Sequence, residues 1–402
     1  MSTDNAPGPT DLDMDWIQNP HPVGARMRAE CPVQRVTLPG GMPAWLVSGY
    51  EQAKAVFTDP RFSSQDVYNR LERMRIGPDA ESPFSPDVDR SLLNLDPPDH
   101  TRLRRLVTKA FTTRSVAPLR PRIEAIADEL IEDMAGREVV DIVADYAYPL
   151  PIRVICELLG IPFEDRDRFT AWSQTMVGAS TPEEIGAASH QLGAYLGELA
   201  ERKHARPTQD LFSDLVEIHY RGDLTRAELI STAVVVLTGG FETTVNMISS
   251  GLLLIMRHPD QQKALREDPS LMATAVEEFL RYETPNLLSS PRYVTEPVEI
   301  DGVEIPAGSF VFVSLLSVNR DQKLVDDSDR FDITRRENAH LAFGYGMHRC
   351  LGAALARLEG EIAFSRLLDR FPTIEPATGT DTLGWRVSTA MHGLVSLPVH
   401  LG

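Results

Sequence analysis

The segment at residues 340–359, HLAFGYGMHRCLGAALARLE, constrains this chain more than any other part of it. Gly344 and Gly346 permit a tight backbone loop, and Cys350 follows that loop at the start of a stretch with helical character. A helix N-terminus lowers the pKa of a thiol, and a thiolate ligates metals where a thiol does not. The segment therefore predicts a metal-binding thiolate at Cys350, with positive charge from His348 beside it. The alternative is a buried structural cysteine in a turn.

Composition limits the class of protein. The chain has 402 residues, of which 42% are hydrophobic and 24% charged, as in a globular enzyme with a large core. The three cysteines, Cys31, Cys156 and Cys350, are far apart and lack the spacing of zinc ligands, so we expect neither a disulfide framework nor a cysteine zinc site. The formal net charge of −18 argues against binding to nucleic acid or to an anionic membrane.

The N-terminal residues are acidic and polar, without the basic and apolar stretches of a secretion signal. The strongest apolar runs, 233–237 and 251–256, are much shorter than the roughly 18 residues that span a bilayer. Sparse cysteine fits a reducing compartment. We therefore expect a cytoplasmic, monomeric protein with no membrane segment.

Hydrophobic periodicity predicts a mainly α-helical chain with small β-sheets. We expect one domain over 1–402, preceded by a polar arm at 1–22. Helical spacing of apolar residues runs through 102–133, 185–204 and 225–258. Strand patterns and turns are found at 32–37, 43–48, 292–314 and 385–400. No strand–helix alternation and no glycine-rich phosphate loop are present, which counts against a nucleotide-binding sheet.

A second informative segment is TGGFETT at 238–244, inside the long predicted helix. Two adjacent glycines in a helix cost stability, and they are tolerable where the helix widens or kinks beside a ligand. Glu242 and Thr243 place an acid and an alcohol next to Gly239 and Gly240. The alternative is a Gly-Gly packing contact with polar neighbours by chance.

The pattern FGxGxHxCLG in the cysteine segment resembles the haem-binding loop of the cytochrome P450 family. The matching residues are Phe343, Gly344, Gly346, His348, Cys350, Leu351 and Gly352. The resemblance covers nearly the whole chain and departs visibly at Ala354, where relatives often have proline. It implies haem b with Cys350 as the axial ligand of its iron. It also implies the cytochrome P450 fold, a triangular prism of helices with the haem between the long mid-chain helix and the helix after the cysteine loop.

The second segment matches the family pattern that lies over the distal haem face. Gly239, Gly240, Glu242 and Thr243 occupy the fixed positions of that pattern. The resemblance implies that Glu242 and Thr243 are the catalytic residues, which supply protons during the activation of dioxygen, the co-substrate.

A third match, Glu278-Phe-Leu-Arg281, is structural in the family. Residues three apart share a helix face, so Glu278 and Arg281 can form an ion pair. Glu277 is a competing partner for Arg281. The resemblance implies a buried network completed by an arginine of 329–336, and the sequence leaves open whether that arginine is Arg335 or Arg330.

Basic residues suited to the haem propionates form a fourth match. His100 and Arg104 are four apart on one predicted helix face, and Arg292 and His348 occupy corresponding family positions. Charge-assisted hydrogen bonds to carboxylates would help hold the cofactor. For each of these residues the alternative is a solvated surface charge. Near the C-terminus, His392 replaces an arginine that is frequent in relatives.

The substrate pocket is expected to be lined by 64–95, 234–238, 286–290 and 389–392. Within these ranges we select five residues, which are Val235, Thr238, Leu287, Leu288 and Met391. Apolar groups mixed with Asn, Ser and Thr suit a bulky, mostly apolar molecule that carries some oxygens.

The chain has no flavin or iron–sulfur signature, so electrons must come from a partner. Within 100–122 every charged residue is basic, which in an acidic protein favours docking of an acidic ferredoxin. These residues are Arg102, Arg104, Arg105, Lys109, Arg114, Arg120 and Arg122. The alternative is the basic face of an ordinary amphipathic helix.

The resemblance implies a haem-thiolate monooxygenase that inserts one oxygen atom of O2 into a C–H bond, by hydroxylation or epoxidation. The expected substrate is a small molecule such as a macrolide or polyketide, with steroids, terpenoids and fatty acids as alternatives. Ferredoxin and ferredoxin reductase would supply electrons from NAD(P)H. Other possibilities are oxidative phenol or C–C coupling, a peroxide-driven enzyme, and a haem-binding protein without catalysis.

Overall fold

The computed structural model describes residues 9–65, 67–76, 84–89, 91–177 and 181–402. Helices dominate these residues, as the periodicity predicts. The α-helices are Met14–Gln18 (α1), His21–Glu30 (α2), Tyr50–Thr58 (α3), Val67–Ile76 (α4), Pro86–Asp89 (α5), Asp99–Val107 (α6), Thr113–Val116 (α7), Arg120–Met134 (α8), Pro149–Leu159 (α9), Arg166–Val177 (α10), Pro182–Ala205 (α11), Leu211–Tyr220 (α12), Arg226–Arg257 (α13), Pro259–Glu267 (α14), Met272–Tyr282 (α15), Leu315–Val318 (α16) and Ala353–Arg370 (α17).

The β-strands are short and form three small sheets. They are Thr10–Asp11 (β1), Val33–Leu38 (β2), Met42–Val47 (β3), Phe62–Ser63 (β4), Val140–Asp141 (β5), Arg292–Val294 (β6), Val298–Ile300 (β7), Val303–Ile305 (β8), Phe310–Val313 (β9), Ile374–Pro376 (β10) and Pro398–Leu401 (β11). Strands β2, β3 and β6 to β9 lie where the sequence predicts them.

The chain divides into two compact units, each assembled from separated segments. The first unit comprises Met1–Ser64, Ser249–Cys350 and Gly379–Ser396. The second comprises Gln65–Ile248, Leu351–Thr378 and Leu397–Gly402.

The first unit contains a six-stranded sheet with strand order β1-β2-β3-β9-β6-β4, and a β7-β8 hairpin. Strands β2 and β3 pair antiparallel across the predicted Pro-Gly-Gly turn, where Gly40 and Gly41 have φ of +93° and +86°. Valines that alternate along the strands, such as Val33, Val47 and Val311, meet in one apolar cluster with α3.

Part of the predicted polar arm is folded into the first unit. Residues 1–8 lie outside the described residues, whereas β1 pairs parallel with β2. Helix α1 buries Trp16 and Ile17, and the side chain of Asp13 accepts a hydrogen bond from the Trp16 N–H. These two large apolar side chains favour packing over solvent exposure, which explains why the chain is ordered here.

The second unit is built mainly of helices, with the sheet β10-β11-β5. Helix α17 packs on α8. The buried Tyr146 hydroxyl donates to the Ala363 carbonyl of α17 at 3.0 Å. Arg366 pairs with Asp128 of α8 at 2.8 Å, so the helix that follows the cysteine segment is fixed along its length.

Helix α13 is the long helix predicted at 225–258. Thr225 and Glu228 form the predicted capping box, with bonds of 2.8 and 3.2 Å between side chains and backbone N–H groups. The helix ends before Pro259, as predicted. Over its full length, α13 is long and apolar enough to cross a membrane, although the separate apolar runs within it are short. However, 72% of its most apolar stretch is buried inside the protein, as is typical of a helix in a protein core.

Candidate active site

The cysteine segment forms a glycine-shaped loop in the first unit. Gly344 and Gly346 have φ of +68° and +70°, a backbone region that favours glycine. A Cβ at Gly346 would also lie 2.6 Å from the Phe57 carbonyl oxygen. The Gly344 N–H donates to the Leu341 carbonyl at 2.8 Å, and the Cys350 N–H donates to the Phe343 carbonyl at 2.8 Å. The loop therefore fixes the backbone of Cys350.

Cys350 is exposed, unlike the other two cysteines. Cys156 is buried, and burial raises the pKa of its thiol to about 12. Cys31 is half-buried, and its thiol lies 3.2 Å from the Val33 carbonyl oxygen. Helix α17 begins at Ala353 with Gly352 as its N-cap, so Cys350 precedes the helix rather than starting it. Among the three thiols, that of Cys350 is the accessible one, which argues against the structural-cysteine alternative.

One face of α13 is open although most of the helix is buried. Val235, Thr238 and Thr243 are half-buried and Gly239 is exposed, at spacings that place them on one side of a helix. A Cβ at Gly239 would meet no described heavy atom within 4 Å. This face offers space where a bound molecule can lie.

Gly240 has a different role from Gly239. A Cβ at Gly240 would lie 2.6 Å from Cδ1 of Ile155 in α9. Gly240 therefore allows close packing of two helices, which is the alternative considered for the glycine pair, and only Gly239 borders the open face. No local pattern signals that Ile155 is the neighbour of Gly240, because the two residues lie far apart in the chain.

Glu242 and Thr243 lie one turn beyond the glycines. Glu242 is buried, at 1% exposure, and Thr243 is half-buried. The Thr243 hydroxyl donates to the Gly239 carbonyl at 3.1 Å, as Thr244 does to Gly240 at 3.2 Å. The hydroxyl that borders the open face is thus held in one orientation and keeps its oxygen available as an acceptor.

The candidate propionate ligands divide between the units. In the second unit, His100 and Arg104 lie four apart in α6, with His100 buried at 2% exposure and Arg104 half-buried. In the first unit, Arg292 starts β6 and is 5% exposed, and His348 is half-buried in the cysteine loop. The burial of His100 and Arg292 argues against purely solvated surface charges at those two positions.

Glu278 and Arg281 form a fully buried, two-bond ion pair at 2.7 and 2.8 Å. Arg281 also donates to the carbonyls of Asn319 and Ser328. Glu277 pairs with His340 instead, at 3.1 Å. Since every donor of the pair meets an acceptor, the desolvation cost of two buried charges is offset.

The geometry shows which arginine, Arg335 or Arg330, brings its side chain to the Glu278–Arg281 pair. The Nε of Arg335 lies 3.7 Å from a Glu278 carboxylate oxygen, and its other nitrogens bind carbonyls of Asp326 and Asp327. Arg330 directs its exposed guanidinium toward Asp332, at 3.8 Å.

The expected pocket residues differ in burial. Val235, Thr238 and Met391 keep partly exposed side chains, whereas Leu287 and Leu288 are 0% and 2% exposed. A side chain that lines an empty pocket retains exposed surface, so these two leucines belong to the core. The reason is local pairing, because the Leu287 N–H and carbonyl bond the backbones of Ala390 and Leu315. Much of the expected 64–95 lining lies outside the described residues.

His392 belongs to a buried cluster that sequence reasoning missed. Its Nε2 lies 3.0 Å from Oε2 of Glu283, while Nε2 of His21 lies 3.0 Å from Oε1. Arg320 is 3.2 Å from the same Oε1. These residues come from distant parts of the chain, and no local spacing signals their meeting.

The fold and the cysteine loop define a mainly helical protein with one accessible thiol in a haem-loop pattern. Comparison with known proteins identifies the class: residues 194–384 match the family model described as Cytochrome P450. The chain is 45% identical to cytochrome P450 107B1 of Saccharopolyspora erythraea, over 100% of both chains. It is 44% identical to the vitamin D(3) 25-hydroxylase of Pseudonocardia autotrophica, over 96% of this chain and 94% of that protein.

Solved structures agree with the sequence comparison. The tirandamycin C-bound P450 monooxygenase TamI superimposes with a TM-score of 0.90 and 44% identity, covering 98% of this chain and 100% of that one. The chain belongs to the cytochrome P450 family and has the P450 fold. It is an oxidoreductase of the oxygen-incorporating kind, and the family implies a haem iron.

The described residues fit such a group. A haem needs an accessible thiol, cations for two carboxylates and a flat open surface. In the first unit, Cys350 supplies the thiol, and Arg292 and His348 supply cationic or hydrogen-bonding groups. In the second unit, His100 and Arg104 are groups of the same chemistry. The open face of α13 at Gly239 supplies surface without side-chain obstruction.

Proposed function

We propose that this protein is a haem b monooxygenase that inserts one oxygen atom of O2 into a C–H bond of a bulky, mostly apolar molecule. Hydroxylation is the expected outcome, with epoxidation where the substrate offers an alkene. The observation that carries the proposal is the exposed Cys350 thiol in a loop that requires Gly344 and Gly346. When bound, the haem supplies the oxidising chemistry, and the chain supplies ligand, protons and orientation.

Each proposed catalytic residue has a defined task. Cys350 would hold the haem iron through its thiolate, and Gly352 and Phe343 border the loop that presents it. The Thr243 hydroxyl donates its hydrogen to the Gly239 carbonyl, so it acts at the open face of α13 as a hydrogen-bond acceptor that holds the oxygen group to be protonated. Glu242, the adjacent buried carboxyl, helps to bring the protons. Val235 and Thr238 on the same face orient the substrate and exclude water.

Replacement of Cys350 by serine tests the ligand assignment. The purified wild type is expected to show the red-shifted Soret band of a thiolate-ligated ferrous carbonyl haem, and Cys350→Ser is expected to lose it. Cys31→Ser is the matched control and should keep the band, because that thiol is turned to the Val33 carbonyl. A thiolate band that persists in Cys350→Ser would overturn the assignment.

The proposed substrate is a macrolide or another polyketide. Relatives of this chain include hydroxylases and epoxidases of such molecules, and the open α13 face mixes apolar Val235 with the hydroxyls of Thr238 and Thr243. A spectral titration with macrolides, polyketides, steroids and fatty acids tests this. We expect a saturable low-to-high-spin shift with polyketides, weakened in Val235→Phe. A shift confined to fatty acids or steroids would contradict the substrate class.

Electrons are proposed to come from a ferredoxin, reduced through ferredoxin reductase by NAD(P)H. In the basic run at 100–122, Arg102 is bound to Glu228, Arg120 to Glu361 and Arg122 to Glu157. Those pairs neutralise part of the predicted docking surface, and the Lys109 side chain lies outside the described residues. Arg105 and Arg114 are exposed, and we propose that they contact the acidic partner.

Charge reversal tests this docking surface. Arg105→Glu is expected to slow reduction by ferredoxin at low salt, and the difference should shrink at high salt because exposed charges are screened. Arg206→Glu makes the same change of net charge at the exposed end of α11 and serves as control. Equal reduction rates for both variants at low salt would exclude Arg105.

A further inference from the structure

The cluster of His21, Glu283 and His392 lies within the first unit and plays no part in the proposed reaction. His21 is the first residue of α2, Glu283 follows the end of α15, and His392 lies in the C-terminal segment. Their ligand atoms, two imidazole nitrogens and a carboxylate oxygen, all lie within 4.8 Å of one another. We propose that these three residues form a zinc-binding site.

The distances are close to those of a zinc site. Zinc lies about 2.0–2.2 Å from His nitrogen and carboxylate oxygen, so neighbouring ligand atoms of a tetrahedral site are about 3.3 Å apart. Each Nε2 is 3.0 Å from a Glu283 oxygen. The widest pair of ligand atoms must approach by roughly 1.5 Å to meet that geometry. The side chain of His21, which is 25% exposed, has room to move.

The chemical state of the cluster also suits a metal. Burial lowers the pKa of His392, although Glu283 opposes that effect, and a lower pKa favours the deprotonated imidazole that binds metals. Burial disfavours the Glu283 carboxylate, but His21, His392 and Arg320 outweigh it and hold the pKa of Glu283 well below its usual range. Two imidazoles and one carboxylate are a donor set found in catalytic zinc sites, and each imidazole binds a metal in its deprotonated form.

Arg320 leaves the carboxylate able to bind. An ionised carboxylate has about four lone-pair sites on its two oxygens. Arg320 takes one of them, on Oε1, and its guanidinium stacks 3.7 Å from the centre of the Tyr282 ring. The positive charge of Arg320 weakens metal binding without blocking it, so we expect a site of moderate affinity.

Backbone and side-chain contacts tie the segments of Glu283 and His392 together before any ion binds. The His392 N–H donates to the Pro285 carbonyl at 2.8 Å, which ties the segment of His392 to that of Glu283. The Gln18 side chain bonds both the N–H and the carbonyl of Trp385 at 2.9 Å. Trp385 in turn stacks on the His392 ring at 3.8 Å. A zinc ion here would clamp three segments that are distant in sequence.

Equilibrium dialysis of the tag-free holoenzyme against zinc chloride, followed by metal analysis, tests the site. We expect one zinc per chain above background, and a higher Tm in the presence of zinc, because an ion that binds only the folded state stabilises it. Magnesium chloride should give neither effect, since Mg²⁺ prefers oxygen ligands.

Three variants localise the binding. His21→Ala removes the exposed ligand, and His392→Arg gives Glu283 a cationic partner while removing a metal ligand. Each should weaken zinc binding by more than about tenfold, since even outer partners of metal ligands contribute about 10–100-fold. His190→Ala, an exposed histidine of α11, is the control and should bind as the wild type does. Absence of stoichiometric zinc in the wild type, or equal binding in all three variants, would overturn the proposal.

Discussion

At the residue scale, Thr243 and Thr244 form a natural comparison. Both hydroxyls donate to the carbonyl four residues earlier, but Thr243 borders the open face of α13 and Thr244 is 2% exposed. The two side chains therefore make the same helix contact in different surroundings. We therefore assign the proposed role in proton delivery to Thr243, which faces the open side.

Substitution of these threonines separates the two roles. Thr243→Ala is expected to keep haem binding and to lower the fraction of NAD(P)H electrons recovered in product severalfold, since general acid catalysis contributes about 10²–10⁴-fold where a proton donor is positioned. The measurement compares NAD(P)H consumed with product formed. Thr244→Ala loses an equivalent hydrogen bond and should stay coupled. Equal coupling in both variants would remove Thr243 from the proton path.

At the scale of elements, the glycine pair of α13 shows how one helix serves two neighbours. Gly240 packs against Ile155 of α9, and Gly239 leaves the opposite side open. Both positions carry the helix-propensity cost of glycine, about 1 kcal/mol relative to alanine. The two positions differ in packing, so we expect substitution by alanine to lower the stability of the protein at Gly240 but not at Gly239.

We predict that Gly240→Ala lowers the free energy of unfolding by about 1–3 kcal/mol, because the new Cβ overlaps Cδ1 of Ile155. Adding Ile155→Val removes that methyl group and should restore part of the loss. Gly239→Ala should leave stability equal or raise it by up to about 1 kcal/mol, while weakening substrate binding in the spectral titration. Denaturant unfolding measures the stability of Gly240→Ala, of its combination with Ile155→Val, and of Gly239→Ala. Gly239→Ala with unchanged substrate affinity would show that this face does not meet the substrate.

At the scale of the whole molecule, Glu359 links stability to pH. It lies in α17 with 0% exposure, and neither carboxylate oxygen has a hydrogen-bond partner within the described part of the chain. Burial raises the pKa of Glu359 well above its ordinary value of 4.5. The folded protein therefore retains a proton that the unfolded chain releases, and stability falls as the pH rises above that ordinary value.

Glu359→Gln tests this linkage with a neutral side chain of similar shape. Above pH 4.5, wild-type stability should lose up to about 1.4 kcal/mol per pH unit from this one group, until the folded pKa is reached. The stability of Glu359→Gln should not fall in this way, so the difference in free energy of unfolding between the variant and the wild type should grow with pH. Denaturant unfolding at several pH values measures it, with exposed Glu375→Gln as control. Parallel stability curves for wild type and Glu359→Gln would contradict the assignment.

The local features of the protein could be predicted from short stretches of its sequence. The helix of 226–257, its capping box, the strands near 33–47 and 292–313, and the glycine loop before Cys350 follow from spacing, capping and turn chemistry within short segments. The family resemblance rested on such segments and is confirmed by the comparisons. Local patterns suffice here because each depends on neighbours a few residues apart.

Contacts between residues that are distant in the chain could not be predicted and are known from the three-dimensional structure. It brought Arg335 rather than Arg330 to Glu278, placed Leu287 and Leu288 in the core, and distinguished Gly240 from Gly239 by the position of Ile155. It also joined His21, Glu283 and His392 around one point. The physical reason is that burial and side-chain contact depend on packing between segments, which hydrophobic period and motif spacing do not specify.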